Sequence, residues 1–133
     1  MPQRTGRVPG EEAVRPLARD QRWRLVVLFG SAARSEPYRD LDLAVLPATE
    51  PDLWTQGRWQ AALEGVFAPT PVDLLLLLPG LSPVARYQVF RDGRCLYEAA
   101  PGLWEAERDR AFFLHADSEH FRRQQREASR DRP

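Results

Sequence analysis

The 133 residues suit one domain with a real core and leave little room for a second. Its formal net charge is zero, with 43% hydrophobic and 29% charged residues, so composition supplies no general attraction to nucleic acid or to an anionic membrane. Every one of its 19 basic residues is arginine, which excludes Schiff-base and P-loop lysine chemistry, and the single cysteine, Cys95, excludes an internal disulfide.

Residues 1–10 are polar, contain Pro and Gly, and have no apolar core, so they read as a flexible leader rather than a signal peptide. The apolar run Leu74 to Leu78 is far too short to span a bilayer, and no run is longer. A cytoplasmic protein with no membrane partner is expected. Ala13, Val14, Leu17 and Ala18 recur at helical spacing and predict a helix over 11–21. Leu25 to Phe29 is a continuous apolar run closed by Gly30, which predicts a buried strand. Residues 30–39 are polar and turn-rich. Leu41, Leu43 and Val45 then alternate with Asp40, Asp42 and Ala44, so a second strand begins with one polar face.

Pro47 and Pro51 break the chain. Trp59, Ala62, Leu63, Val66 and Phe67 form a helical face that ends at Pro69 and Pro71. Val72 to Leu78 reads as a third strand, buried on both faces apart from Asp73. Ser82-Pro83 is a helix start, with Ser as N-cap and Pro in the first turn. Asp92-Gly93 marks a turn before a short strand at Arg94 to Tyr97. A last helix opens at Pro101 and is expected to reach about residue 123, leaving 124–133 as a solvated tail. The domain proper is therefore expected to occupy residues 11–123.

Three features carry chemistry together. Gly30-Ser31 follows an apolar strand, where glycine permits a sharp turn and a close backbone approach to a ligand. Backbone N–H groups and the Ser31 hydroxyl can hold phosphate oxygens, although an isolated Gly-Ser is more often an ordinary turn. Asp40 and Asp42 lie two apart at a strand start and so project to one side. Their repulsion is relieved by a hard cation such as Mg²⁺; the plainer reading is a solvated loop end. Asp73 stands in the most apolar stretch of the chain, where a carboxylate must be paired, hydrogen-bonded or metal-bound. If its strand pairs beside the Asp40–Asp42 strand, three carboxylates meet. Such a trio can hold two Mg²⁺ ions for in-line nucleotidyl transfer.

The stretch Leu28-Phe29-Gly30-Ser31-Ala32-Ala33-Arg34, followed by Asp40-Leu41-Asp42-Leu43 and later by Val72-Asp73-Leu74, resembles the minimal nucleotidyltransferase (MNT) branch of the DNA polymerase beta superfamily. The resemblance runs from about residue 12 to about residue 120. It implies an α+β fold in which a small mixed sheet carries the acids on one face and helices cover the other. It implies that Gly30 and Ser31 grip the triphosphate, that Asp40 and Asp42 bind both metals, and that Asp73 binds the catalytic metal and helps activate the acceptor. Arg34 would support the phosphate loop, or else be a solvated loop arginine. Three departures stand out. Eight residues separate Ser31 from Asp40, about two fewer than usual; Ser35 replaces the usual glycine after Arg34; and Arg39 replaces the usual serine before the first Asp.

Other residues have simpler readings. His115 and His120 are five apart, which is not a same-face helical spacing, and read as surface histidines. Trp54, Trp59, Trp104, Phe112 and Phe113 read as core, with any exposed subset available to a partner. The arginines at 122, 123, 126, 130 and 132 alternate with acids and read as a solvated helix end, not a nucleic-acid site. Cys95 reads as a small buried residue.

By resemblance, the chain is an MntA-like antitoxin that uses ATP and Mg²⁺ to transfer AMP onto a tyrosine of a partner HEPN ribonuclease toxin. The short length suits a protein acceptor, which brings its own surface. Two other readings stay open: a non-catalytic module that neutralises its partner by contact, and a small-molecule, drug-modifying nucleotidyltransferase working as a homodimer.

Overall fold

The computed structural model describes residues 7–130. A 3-10 turn, Glu11–Ala13, leads into helix α1, Val14–Asp20. Strand β1, Trp23–Phe29, is followed by the single-turn helix α2, Gly30–Ala33, and by β2, Leu41–Pro47. Helix α3, Leu53–Phe67, leads to β3, Val72–Leu76; α4, Pro83–Arg91, leads to β4, Arg94–Glu98, and to the long helix α5, Leu103–Arg130.

The four strands lie in the order β3-β2-β1-β4. β1 runs antiparallel to both β2 and β4, whereas β2 and β3 are parallel and joined through α3. A parallel pair needs such a crossover, because a tight hairpin can only return the chain antiparallel. The expected mixed α+β architecture is therefore present.

The helix starts follow local chemistry. The Asp52 side chain accepts a hydrogen bond from the Thr55 N–H at 2.7 Å, and that of Ser82 accepts from the Ala85 N–H at 3.2 Å. Each satisfies an amide that a helix N-terminus leaves without a partner.

Helices cover both faces of the sheet, not one as expected. On one face Val14 and Ala18 of α1 and Trp59, Leu63 and Phe67 of α3 pack on Val26, Leu28, Leu41, Leu43 and Val45. On the other, Val89 and Phe90 of α4 and Ala111 of α5 pack on Leu25, Val27, Ala44 and Leu77. The alternation in β2 decides this: with hydrophobic residues on both parities beyond Asp42, both faces must be hidden from water.

Four local differences from the sequence reading have physical causes. β1 begins two residues earlier, at Trp23, which is buried and meets Trp59 edge-on at 5.4 Å. Val8 is buried in the core and its N–H donates to the Glu11 carboxylate at 2.8 Å, so residues 7–10 of the expected leader belong to the packed domain. Residues 1–6 of that leader and 131–133 of the expected tail lie outside the described residues. α5 continues past residue 123 because Phe121–Arg130 contains strong helix formers and neither Gly nor Pro. β3 is an edge strand, with Leu74 and Leu76 packed on one side and Leu75 on the other but all three only half-buried, so neither face is fully covered. Among the described residues, no helix is long and apolar enough to cross a membrane.

Candidate active site

The sheet topology gathers three chain segments at one end. β1 ends at Phe29 and is antiparallel to β2, so Phe29 pairs with Asp42 near the beginning of β2. β3 is parallel to β2, so its beginning lies at the same end, and Asp42 pairs with Asp73. Side chains of in-register neighbours on adjacent strands point to the same side, with backbones about 5 Å apart. Asp42 and Asp73 share parity with Ala44 and Leu77, which face α4 and α5. Those helices cover the far part of this face and leave its near end open. Asp42 is half-buried there, and Asp40 and Asp73 are exposed.

Asp73 thus differs from its sequence reading. It is not a carboxylate sunk in a buried strand; it is an exposed group on an edge strand. Its place in the site comes from register alone. A shift of one residue would turn it to the opposite face.

Gly30 contributes more than a turn. Its φ is 71°, a left-handed conformation that side chains disfavour. A Cβ built on it would collide with the Asp42 carboxylate oxygen Oδ2. Glycine therefore allows the Asp42 carboxylate to lie directly against the backbone of the turn. Behind it, the Arg34 N–H bonds the Ser31 carbonyl at 3.1 Å and the Glu36 N–H bonds the same carbonyl at 2.9 Å. α2 is only one turn long, so its first amides have no carbonyl four residues back within the turn. Ser31, half-buried, stands at this point.

Burial pushes the Asp42 carboxyl above its ordinary range, and the negative charges of Asp73 and Asp40 push it the same way; Arg34 opposes them. A carboxylate crowded by two like charges is the chemistry that a hard divalent cation relieves. The donor set therefore fits Mg²⁺, with Asp42 and Asp73 as the adjacent pair and Asp40 at the exposed end of the strand. Among the described residues, however, no three acidic, histidine or cysteine side chains converge closely enough to cage an ion unaided. That is ordinary for Mg²⁺, which takes one or two carboxylates and completes its shell with substrate phosphates and water.

Arg34 is held by two carboxylates. Its Nε lies 3.2 Å from a Glu36 carboxylate oxygen, and its Nη1 lies 3.6 Å from one of Asp92. The Glu36 hydrogen bond raises its pKa further, so it stays charged. Arg34 thus ties the loop after Ser31 to the end of α4. The Asp92 contact spans 58 positions of sequence, and Asp92 read only as a turn residue; nothing in the local pattern signals the pairing. Ser35, standing where glycine is usual, has φ 59°, which explains the usual glycine. Outside this end, His120 is exposed, and His115 stacks on Tyr87 with ring centroids 3.9 Å apart. Cys95 is half-buried, and burial raises its thiol pKa, which makes it a poor nucleophile.

The family model described as polymerase beta, nucleotidyltransferase, matches residues 11–101. Curated protein sequences include no significant match. Among solved structures, a toxin–antitoxin structure with AMP-PNP is 25% identical at a TM-score of 0.69, with 91% of this chain and 96% of that chain covered. A complex of tri-AMPylated Shewanella oneidensis HEPN toxin with MNT antitoxin is 25% identical at a TM-score of 0.66, covering 92% and 94%. An MntA toxin–antitoxin mutant, 23% identical at a TM-score of 0.70 over 91% and 96%, shows the same fold.

Proposed function

Since the chain belongs to the polymerase beta nucleotidyltransferase family, we propose that it is an MNT antitoxin that transfers AMP from ATP, with Mg²⁺, to a tyrosine hydroxyl of a partner HEPN toxin. The observation that carries this reading is the register of Asp42 beside Asp73, with Gly30 packed against Asp42. The similarity to structures described as containing AMP-PNP and an AMPylated HEPN toxin supports the choice of nucleotide and acceptor.

In this reading the Gly30-Ser31 turn holds the β- and γ-phosphates through its amides and the Ser31 hydroxyl. Asp40, Asp42 and Asp73 would hold the metal ions, which would supply charge neutralisation at the triphosphate and lower the pKa of the acceptor hydroxyl. Asp73, on the edge strand and open to solvent, faces the arriving acceptor and takes its proton. The tyrosine oxygen bonds to the α-phosphorus as the bond to the β-phosphate oxygen breaks, and pyrophosphate leaves. Arg34 acts at one remove: clamped by Glu36 and Asp92, it shapes the phosphate loop and moderates the charge at Asp42. We assign the reaction to the cytoplasm, where ATP and Mg²⁺ are supplied.

The decisive experiment incubates the chain with α-labelled ATP, Mg²⁺ and its HEPN partner. Label on a partner tyrosine that disappears with Asp42→Asn is the expected result. A tight, inhibitory complex that never becomes labelled would replace transfer with neutralisation by contact. That second reading draws on Arg34 being held by two carboxylates and on the absence of a gathered acidic trio among the described residues.

A further inference from the structure

The opposite end of the α4–α5 face holds a groove of about 430 Å³, within the size range of small-molecule sites. It lies four strand residues from Asp42 along β2, about 13 Å away, and shares no residue with the acidic end. Leu46 and Leu77 are among its lining residues, and three arginines line it from different elements: Arg24 on β1, Arg86 on α4 and Arg110 on α5.

Arg86 is the distinctive one. It is half-buried, and its Nη2 donates to the Leu78 carbonyl at 2.6 Å. Among the described residues this is its side chain's one hydrogen bond to protein, and it makes no ion pair, so its remaining donors are open to the groove and to water. Burial lowers its pKa, Glu107 opposes that from across the groove, and Arg110 adds to it. Glu107 itself is drawn towards Arg110, at a loose 4.0 Å. Glu50 stands on the lining as well, so three cations face two carboxylates, one of them already engaged. A partly desolvated cation without a close counter-ion is costly, and an anion entering the groove removes that cost.

We propose that this groove is a second ligand site, which takes a small organic anion, a phosphate or carboxylate group carried on an apolar body, with Arg86 as its anchor. Arg86 supplies guanidinium donors from the half-buried wall, and Arg24 and Arg110 close on the anionic group from the mouth. Leu46 and Leu77 receive the apolar part. The site does not depend on nucleotidyl transfer, and its test needs neither nucleotide nor Mg²⁺.

The experiment is amide chemical-shift mapping of the isotopically labelled full chain during titration with inorganic phosphate, phenyl phosphate and benzoate, against chloride at equal ionic strength. Saturable shifts at residues 48–50 and 77–78 are expected. The arylated anions should bind more tightly than inorganic phosphate, and the phosphate and benzoate arms tell which anionic group is preferred. Arg24→Gln/Arg110→Gln removes two exposed groups and leaves the fold intact; it should weaken binding at least tenfold. Arg86→Met should abolish it. Shifts confined to residues 30–31, shifts matched by chloride, or affinity unchanged in the double variant would each overturn the proposal.

Discussion

Asp42→Asn should make the protein more stable and inactive at once. In the metal-free protein Asp42 and Asp73 sit in register on adjacent strands, with Asp40 two residues along. Two carboxylates about 5 Å apart repel by roughly 0.8 kcal/mol at a water-like dielectric. The exposure of Asp73 holds the effect near that low end and rules out the larger interior values. The amide keeps the shape and removes the charge, so a gain of about 0.5–1 kcal/mol is expected, or about 2–4 °C in melting temperature for a domain of this size. The pH dependence has a definite sign. Asp42 is raised in the folded state, so its contribution to stability is fully present below the ordinary value of 3.8 and is lost as pH rises through the raised pKa. The advantage of the variant should therefore be full at neutral pH and close as pH falls towards 3.8. Mg²⁺ should stabilise the wild type by mass action and reverse the order of the two proteins. Scanning calorimetry with and without Mg²⁺, from pH 3.5 to 7.5, reads all of this. A variant that is less stable than the wild type in chelator at neutral pH would refute the account of crowded charge.

Three further outcomes follow from the same geometry. Gly30→Ala forces a Cβ into a left-handed residue and against Asp42; it should cost about 1–3 kcal/mol in urea unfolding and eliminate AMP transfer. Ser35→Gly relieves the left-handed serine and should gain up to about 1 kcal/mol by the same measurement, with transfer retained. Glu11 bonds Arg94 through both oxygens, at 2.8 and 2.9 Å, and also accepts the Val8 N–H. Glu11→Gln should cost about 1–3 kcal/mol. Burial alone would raise the Glu11 pKa, but Arg94 and the Val8 amide outweigh it and leave it lowered. Its stabilisation is therefore present above 4.5 and fades as pH falls through the lowered value, and the variant should lose that step in an acid titration.

The candidate site was legible where its signal is local. Gly30-Ser31 at the end of an apolar run and Asp40-Leu41-Asp42 at the start of an alternating one identify their own positions, because turn chemistry and two-residue periodicity act over a few neighbours. Asp73 was found for a reason the structure does not support. Its apolar neighbours suggested burial, yet β3 is an edge strand and the carboxylate is in water. What brings it beside Asp42 is strand register, which pairs residues 31 positions apart. The partner of Arg34 was illegible for a similar reason: Asp92 arrives at the end of α4, and no spacing in the chain encodes that meeting.

Apart from the one-turn α2, the sequence by itself determined the order and kind of the main elements, the Ser82 cap, the paired acids and the glycine, since each depends on a residue and its near neighbours. Only the tertiary structure decided the β3-β2-β1-β4 order, the covering of both sheet faces, the collision that requires glycine at position 30 and the open end where the carboxylates meet. Those depend on which apolar surfaces are buried against one another. Hydrophobic burial is non-directional, so a single strand's pattern says that a face is hidden without saying what hides it.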